Sequence, residues 1–311
     1  MKLPDLTSLK WESPRKDQAA GLRLVPRAEM GISGLTAVVS GKGGVGKTNV
    51  VANVGVAAAA LGARVLVVDG DMGLSNLDVL MGLSPKQSVI DVVRGRCTLE
   101  EAIVQGPKGV RLLPAGAGRN DLGVFEAGGT LRLVDELQAV AGQYDLILLD
   151  AGSGIGKVVI DLALLATQVV LVAVPEPTSF ADAYATCKTL WATKPTLPID
   201  ALVNCSDTPK EGRQVHEHLE RMCERFLHKP LGLLGTLPRD RRLRDAVTHQ
   251  RVVVEAYPNS SIAKAFVALA QQLIVAGKVR QKEERGSPRA HANPTTPLLT
   301  EHEKGATTGS L

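Results

Sequence analysis

The chain has 311 residues, 44% of them hydrophobic and 22% charged, ordinary values for a globular fold with a sizeable core. Aromatic residues make up only 3%, which argues against a single-stranded nucleic-acid binder whose bases stack on exposed rings. The formal charge of +4 belongs to the ends: residues 1–34 and 276–311 each carry six Lys/Arg and four Asp/Glu, whereas 35–275 is neutral. Nucleic acid is therefore not an expected partner of the core.

Residues 1–33 read as a flexible N-terminal arm, broken by Pro4, Pro14 and Pro26 and without the apolar run of a signal peptide. From Leu35 onward, strands alternate with helices. The predicted strands are Leu35–Ser40, Arg64–Asp69, Val110–Pro114, Asp145–Asp150, Gln168–Val174, Ile199–Cys205 and Leu231–Leu237. The predicted helices are Thr48–Leu61, Leu131–Ala141, Val158–Ala166, Phe180–Leu190, Gln214–Leu227 and Ser261–Ala276. Strands that read as continuous apolar runs are buried on both faces. The expected architecture is thus α/β: a doubly wound, mostly parallel sheet with helices on both faces, filling residues 34–277. Residues 278–311 are polar and rich in Pro and Thr, and are expected to be a disordered tail. With no uninterrupted stretch of 18 apolar residues, the expected location is the cytoplasm.

The decisive segment is Ser40-Gly-Lys-Gly-Gly-Val-Gly-Lys-Thr48, which follows the first strand and opens the first helix. Gly41, Gly46, Lys47 and Thr48 satisfy G-x-x-x-x-G-K-[ST], a loop whose backbone N–H groups turn inward around a phosphate at a helix N-terminus. Gly41, Lys42, Gly43, Gly44, Val45, Gly46, Lys47, Thr48 and Asn49 are the candidate phosphate-binding residues. Lys47 is expected to reach the β- and γ-phosphates, and the Thr48 hydroxyl to coordinate magnesium. Gly41, Gly43 and Gly46 also satisfy G-x-G-x-x-G, with Asp69 where a dinucleotide fold keeps its ribose acid. Lys47-Thr48 favours the triphosphate, since a pyrophosphate turn needs neither group. Asp150, ending an apolar strand, has the Walker-B pattern of a magnesium carboxylate, and Asp69-Gly-Asp71 ends a neighbouring strand.

With Lys42 preceding Gly43-Gly-Val-Gly-Lys-Thr48, the sequence resembles the MinD/ParA group of deviant-Walker-A ATPases. The resemblance implies ATP and Mg2+ as cofactors, slow dimer-dependent hydrolysis and an ATP-bound homodimer in which Lys42 reaches the partner's nucleotide. It further implies that Lys42 and Asp71 are catalytic, with Asp71 orienting the attacking water. Thr48, Asp71 and Asp150 would support the metal, and Asn204, Pro238 and Asp240 would line the adenine pocket. Within the group the likeness is to the branch that sets flagellar number and placement (FlhG, FleN, YlxH). It rests on Thr48-Asn49-Val50, on Pro175-Glu-Pro-Thr-Ser-Phe-Ala-Asp-Ala-Tyr184 and on Asp17-Gln18-Ala19-Ala-Gly-Leu22-Arg23, which is similar to that branch's DQAxxLR arm. That arm implies a signal-recognition-type GTPase, FlhF, as partner, contacted by Asp17, Gln18, Ala19, Leu22 and Arg23. Flagellar C-ring proteins or a transcription regulator are further candidate partners. The alternative reading is a MinD/ParA ATPase that positions another cargo: a division site, a chromosome or a chemoreceptor array.

The branch usually ends in an amphipathic membrane helix. Here Pro288, Pro294 and Pro297 interrupt the tail and only Leu298-Leu299 is apolar, which argues against a membrane surface as partner. Peripheral recruitment to the inner membrane or cell pole stays open. The basic cluster Arg239, Arg241, Arg242, Arg244 and Arg251 is interleaved with Asp240 and Asp245 and reads as a solvated face. His216 and His218 point about 200° apart on a helix, so they read as residues of a surface helix and not as a shared metal site.

Overall fold

In the computed structural model the β-branched, apolar strand segments lie side by side in one eight-stranded sheet. Residues 31–71, 76–116 and 129–286 are described, side chains up to 280. In chain order the elements begin with β1 (Leu35–Ser40), α1 (Lys47–Ala60), β2 (Val65–Asp69), α2 (Leu77–Leu80), α3 (Val89–Val93) and α4 (Leu99–Ala102). There follow β3 (Val104–Gln105), β4 (Arg111–Leu113), α5 (Thr130–Val140), β5 (Leu146–Ser153), α6 (Lys157–Leu164), β6 (Gln168–Ala173) and α7 (Pro177–Thr193). The chain continues through β7 (Ile199–Ser206), α8 (Pro209–Leu227), β8 (Gly232–Pro238), α9 (Arg241–Thr248), α10 (Val253–Ala256) and α11 (Ser261–Gly286).

The sheet order is β3-β4-β2-β5-β1-β6-β7-β8. Every pairing is parallel except β3 with β4. Successive strand side chains alternate between two cores. In β5, Ile147 and Leu149 join the layer formed with α3, α5, α6, α7 and α8. Leu146 and Leu148 join the opposite layer, with α1 and α11. This is the expected mostly parallel sheet covered on both faces. The chain reverses its direction of strand addition at β1, so the crevice beyond the carboxyl ends of β1, β5 and β6 is the switch point where such sheets bind ligands.

Several boundaries differ from the sequence reading. Strand β5 continues past Asp150 to Ser153, which pairs with Ser40 beyond an irregularity in the ladder. The Ala-Gly-Ser segment lacks β-branched residues and so reads as a turn. Helix α11 runs nine residues past Gly277, to Gly286. Its stretch Ser261–Arg280 has the length and apolar character of a membrane span. Yet Ile262, Phe266, Leu269, Ala270 and Leu273 recur at helical spacing and are buried in the core beside α1, while Val275 and Val279 are exposed. Helix α8 is not a wholly surface helix: His216, Leu219 and Cys223 are buried, and His216 Nε2 lies 2.7 Å from the Leu231 carbonyl. Residues 1–30 and 287–311, which hold most of the expected arm and tail, lie outside the described residues.

The two ends of α11 should respond differently to truncation. Phe266→Ala, at a site 1% exposed, should cost about 3–5 kcal/mol in urea unfolding. Val279→Ala, at a site 52% exposed, should change stability by no more than about 0.5 kcal/mol. Equal losses would contradict the packing described.

Candidate functional site

The phosphate loop joins the buried end of β1 to α1. Gly44 and Gly46 stand at φ 79° and 88°, conformations that favour glycine. Gly46 is the N-cap of α1, and the first turn of that helix carries no acidic residue, so nothing there opposes a bound anion. The loop starts hard against α7: a Cβ at Gly41 would fall 2.2 Å from the backbone carbonyl of Asp182. A Cβ at Gly43 would stand 3.7 Å from Ser153 Oγ of β5, an ordinary contact, and Val45 is buried. Ser40 Oγ donates to the Lys42 carbonyl at 2.9 Å. Helix α1 is buried on nearly all sides, which fixes the loop's exit.

Lys47, 6% exposed, forms an ion pair with Asp150 Oδ1 beneath the loop. Asp150 is fully buried, and its Oδ2 lacks a hydrogen-bond partner. Asn49 Oδ1, on the first turn of α1, is likewise buried without a partner, as is Ser206 Oγ at the end of β7. The orphaned Asp150 Oδ2 beneath the loop is an unmet demand for a donor or a cation, since such a group costs about 1–3 kcal/mol when left unpaired. Magnesium and a phosphate fit this donor set: a spare carboxylate oxygen on Asp150, the hydroxyl of Thr48 one residue into α1, and the loop amides.

Asp69 stands opposite Asp150 in the β2–β5 register and is 1% exposed. The Asp71 N–H donates to Asp69 Oδ1 at 3.1 Å, and the Gly70 N–H donates to the Asp150 carbonyl at 2.8 Å, so the acidic turn is tied to β5. A Cβ at Gly152 would stand 4.0 Å from the Asp71 carboxyl carbon, so β5 and the acidic turn converge. Residues 72–75, which follow the acidic turn, lie outside the described residues, as do Asp17, Gln18, Ala19, Leu22 and Arg23.

Lys42 is not free. Its ammonium donates to Glu176 Oε2 at 2.6 Å and to Thr178 Oγ1 at 3.2 Å, at the start of α7. This contact was not legible in the sequence, where 134 residues separate Lys42 from Glu176. Asn204 is buried at the end of β7 with both ends of its amide engaged: Nδ2 donates to the Val45 carbonyl and Oδ1 accepts from the Cys205 N–H. Burial pushes the neighbouring Cys205 thiol above its ordinary pKa. Asp240 caps α9 by accepting from the Arg242 N–H at 2.9 Å, and Pro238 ends β8 nearby. Of the basic cluster, Arg239 pairs with Asp207 and Arg251 with Glu255, and all five arginines are exposed.

Removing one member of the buried ion pair should be worse than removing both. Lys47→Ala leaves a buried carboxylate unpaired and should cost the unliganded fold about 3–5 kcal/mol. The Lys47→Ala/Asp150→Ala double variant should recover part of that loss in urea unfolding. Additive losses would contradict the pairing.

Comparison with known proteins identifies the chain's family and relatives. The CobQ/CobB/MinD/ParA nucleotide binding domain matches residues 36–253. The chain is 38% identical over 266 residues to the antiactivator FleN of Pseudomonas aeruginosa, covering 86% of this chain and 93% of that one. It is 31% identical over 240 residues to the flagellum site-determining protein YlxH of Helicobacter pylori, covering 76% and 81%. Among solved structures it is similar to the septum site-determining protein MinD of Pyrococcus horikoshii complexed with Mg-ADP, at TM-score 0.67 and 28% identity, covering 80% and 98%.

Proposed function

The chain belongs to the CobQ/CobB/MinD/ParA nucleotide-binding family, and from that premise we propose that it is an ATP-dependent dimerising switch ATPase regulating flagellar number or placement. The observation that carries the ATPase reading is the loop over the Lys47–Asp150 pair, with Asp150 Oδ2 unpartnered beside it. Lys47 is the group that would pass from Asp150 to the β- and γ-phosphates. Thr48 and Asp150 would then hold magnesium, which supplies charge neutralisation on the phosphate oxygens. Asp71, tied beside Asp69, orients the attacking water and accepts its hydrogen bond. Asn204, Pro238 and Asp240 form the base side of the pocket, with Asp240 acting there in addition to its cap.

The flagellar reading is supported by two relatives named for flagella or for FleN, each matched over more than three quarters of the chain. In this reading the arm around Asp17, Gln18, Ala19, Leu22 and Arg23 stimulates an FlhF-type GTPase, and the protein acts in the cytoplasm. Gln18 is the only glutamine of the arm and supplies the amide that positions the GTPase's water.

Lys42 in the single chain is satisfied in cis by Glu176 and Thr178. Both side chains of its ion pair are about half exposed, at 40% and 55%, so the pair holds the lysine by no more than about 1 kcal/mol. A triphosphate on a partner subunit can outcompete it. Lys42→Ala should therefore keep ATP binding yet lose ATP-driven dimerisation in light scattering with magnesium. A variant that still dimerises would remove the cross-subunit role. For the arm, deletion of residues 1–30 should leave the ATP-driven dimer intact and abolish stimulation of the GTPase, and Gln18→Ala in the full chain should abolish it as well. Full stimulation by the truncated protein would leave the alternative ahead, a positioning ATPase for another cargo.

A further inference from the structure

We propose that Asn204 is a positioning residue for the phosphate loop, acting on the phosphates through Val45, in addition to any contact with a base. The inference rests on the reading that this loop binds a triphosphate. The carrying observation is a buried hydrogen bond of 2.8 Å from Asn204 Nδ2 to the Val45 carbonyl, across 159 residues of sequence. Asn204 is 3% exposed. The ladder from β7 to β8 is irregular between Val203 and Ser206, so the backbone leaves regular pairing where Asn204 stands. Oδ1 accepts from the Cys205 N–H at 2.9 Å, and Cys205 itself sits in the left-handed region at φ 58°, which non-glycine residues adopt sparingly. The side chain is held at one end by its own turn and holds the loop with the other.

The loop is built to need such a hold. Gly41, Gly43, Gly44 and Gly46 give it the freedom to turn its N–H groups inward, and the same freedom must be lost whenever a phosphate binds. Val45 lies between two glycines at positive φ, so fixing its carbonyl fixes the peptide plane it shares with the Gly46 N–H. Asn204 and Gly46 fit each other closely: a Cβ at Gly46 would lie 2.5 Å from Asn204 Nδ2. Folding therefore orders the loop before the ligand arrives, which lowers the ordering cost of binding. A primary amide has two N–H donors, so the loop contact leaves one for a base. The strand that carries the base contact is then mechanically joined to the loop that carries the phosphate contacts.

Tripolyphosphate, which has no base, separates this role from base recognition. Full-length protein, Asn204→Ala and Asn204→Ser would be titrated with magnesium tripolyphosphate and with magnesium ATP. The serine hydroxyl keeps a polar group beside Cys205 but is too short to reach Val45. Tripolyphosphate should weaken about tenfold, the equivalent of one net hydrogen bond, and ATP by at least that factor. Amide hydrogen exchange of the unliganded variants should quicken across residues 43–47 and stay unchanged in β1 and β5. Weaker ATP binding with unchanged tripolyphosphate binding would overturn the proposal and leave a base contact alone. Unchanged binding of both, or exchange quickened throughout the sheet, would overturn it as well. If the wild-type chain bound neither ligand, the triphosphate reading itself would fall.

Discussion

The buried pair between Lys47 and Asp150 is the interaction on which the site depends. A lysine and an aspartate removed from water can persist only together. Their meeting requires β5 to lie directly beside β1 and α1 to begin immediately after the loop. In the proposed reading the pair keeps a cation for phosphates and a carboxylate for a metal in one place while neither ligand is bound. Asp150 Oδ2 and Asn49 Oδ1 remain without partners, so the arrangement is satisfied only in part. The site carries an electrostatic demand that a magnesium triphosphate meets.

The sheet order makes this possible. Placing β5 between β2 and β1 brings Asp69 and Asp150 level on neighbouring strands, with Asp71 two residues beyond. Placing β6 and β7 on the other side brings α7 and Asn204 to the opposite flank of the loop. One flank therefore supplies carboxylates and the other supplies Glu176, Thr178 and the Asn204 amide. Lys42 lies on the second flank, in a weak and exposed contact, and can leave it without disturbing the core.

Much of the fold was legible in the sequence because its strands are short apolar runs cut by turn residues. Strand β1 matches its predicted range, and the other six predicted strands differ by a few residues at their ends. The phosphate loop was legible because glycine, lysine and threonine at fixed spacing have few other uses. Short helices such as α2, α4 and α10 were missed because four residues carry no period. Strand β5 was cut short because Ala151-Gly152-Ser153 carries turn chemistry although it pairs with β1. Helix α11 was ended at Gly277, which stands inside it and lies 3.3 Å, as a hypothetical Cβ, from the Asp145 carbonyl. His216 was assigned with His218 to a surface helix because the two point apart, whereas helical phase turns His216 inward beside Val215 and Leu219. Contacts of Lys42 with Glu176 and of Asn204 with Val45 span more than 130 residues, and no local pattern encodes them.

Calorimetry of the full-length chain with ATP, in the presence and absence of magnesium and against NAD, tests the central claim most directly. A site built around Lys47, Asp150 and the loop predicts that ATP binds, that magnesium tightens the binding, and that NAD does not compete. Magnesium-independent binding, or displacement of ATP by NAD, would contradict the account.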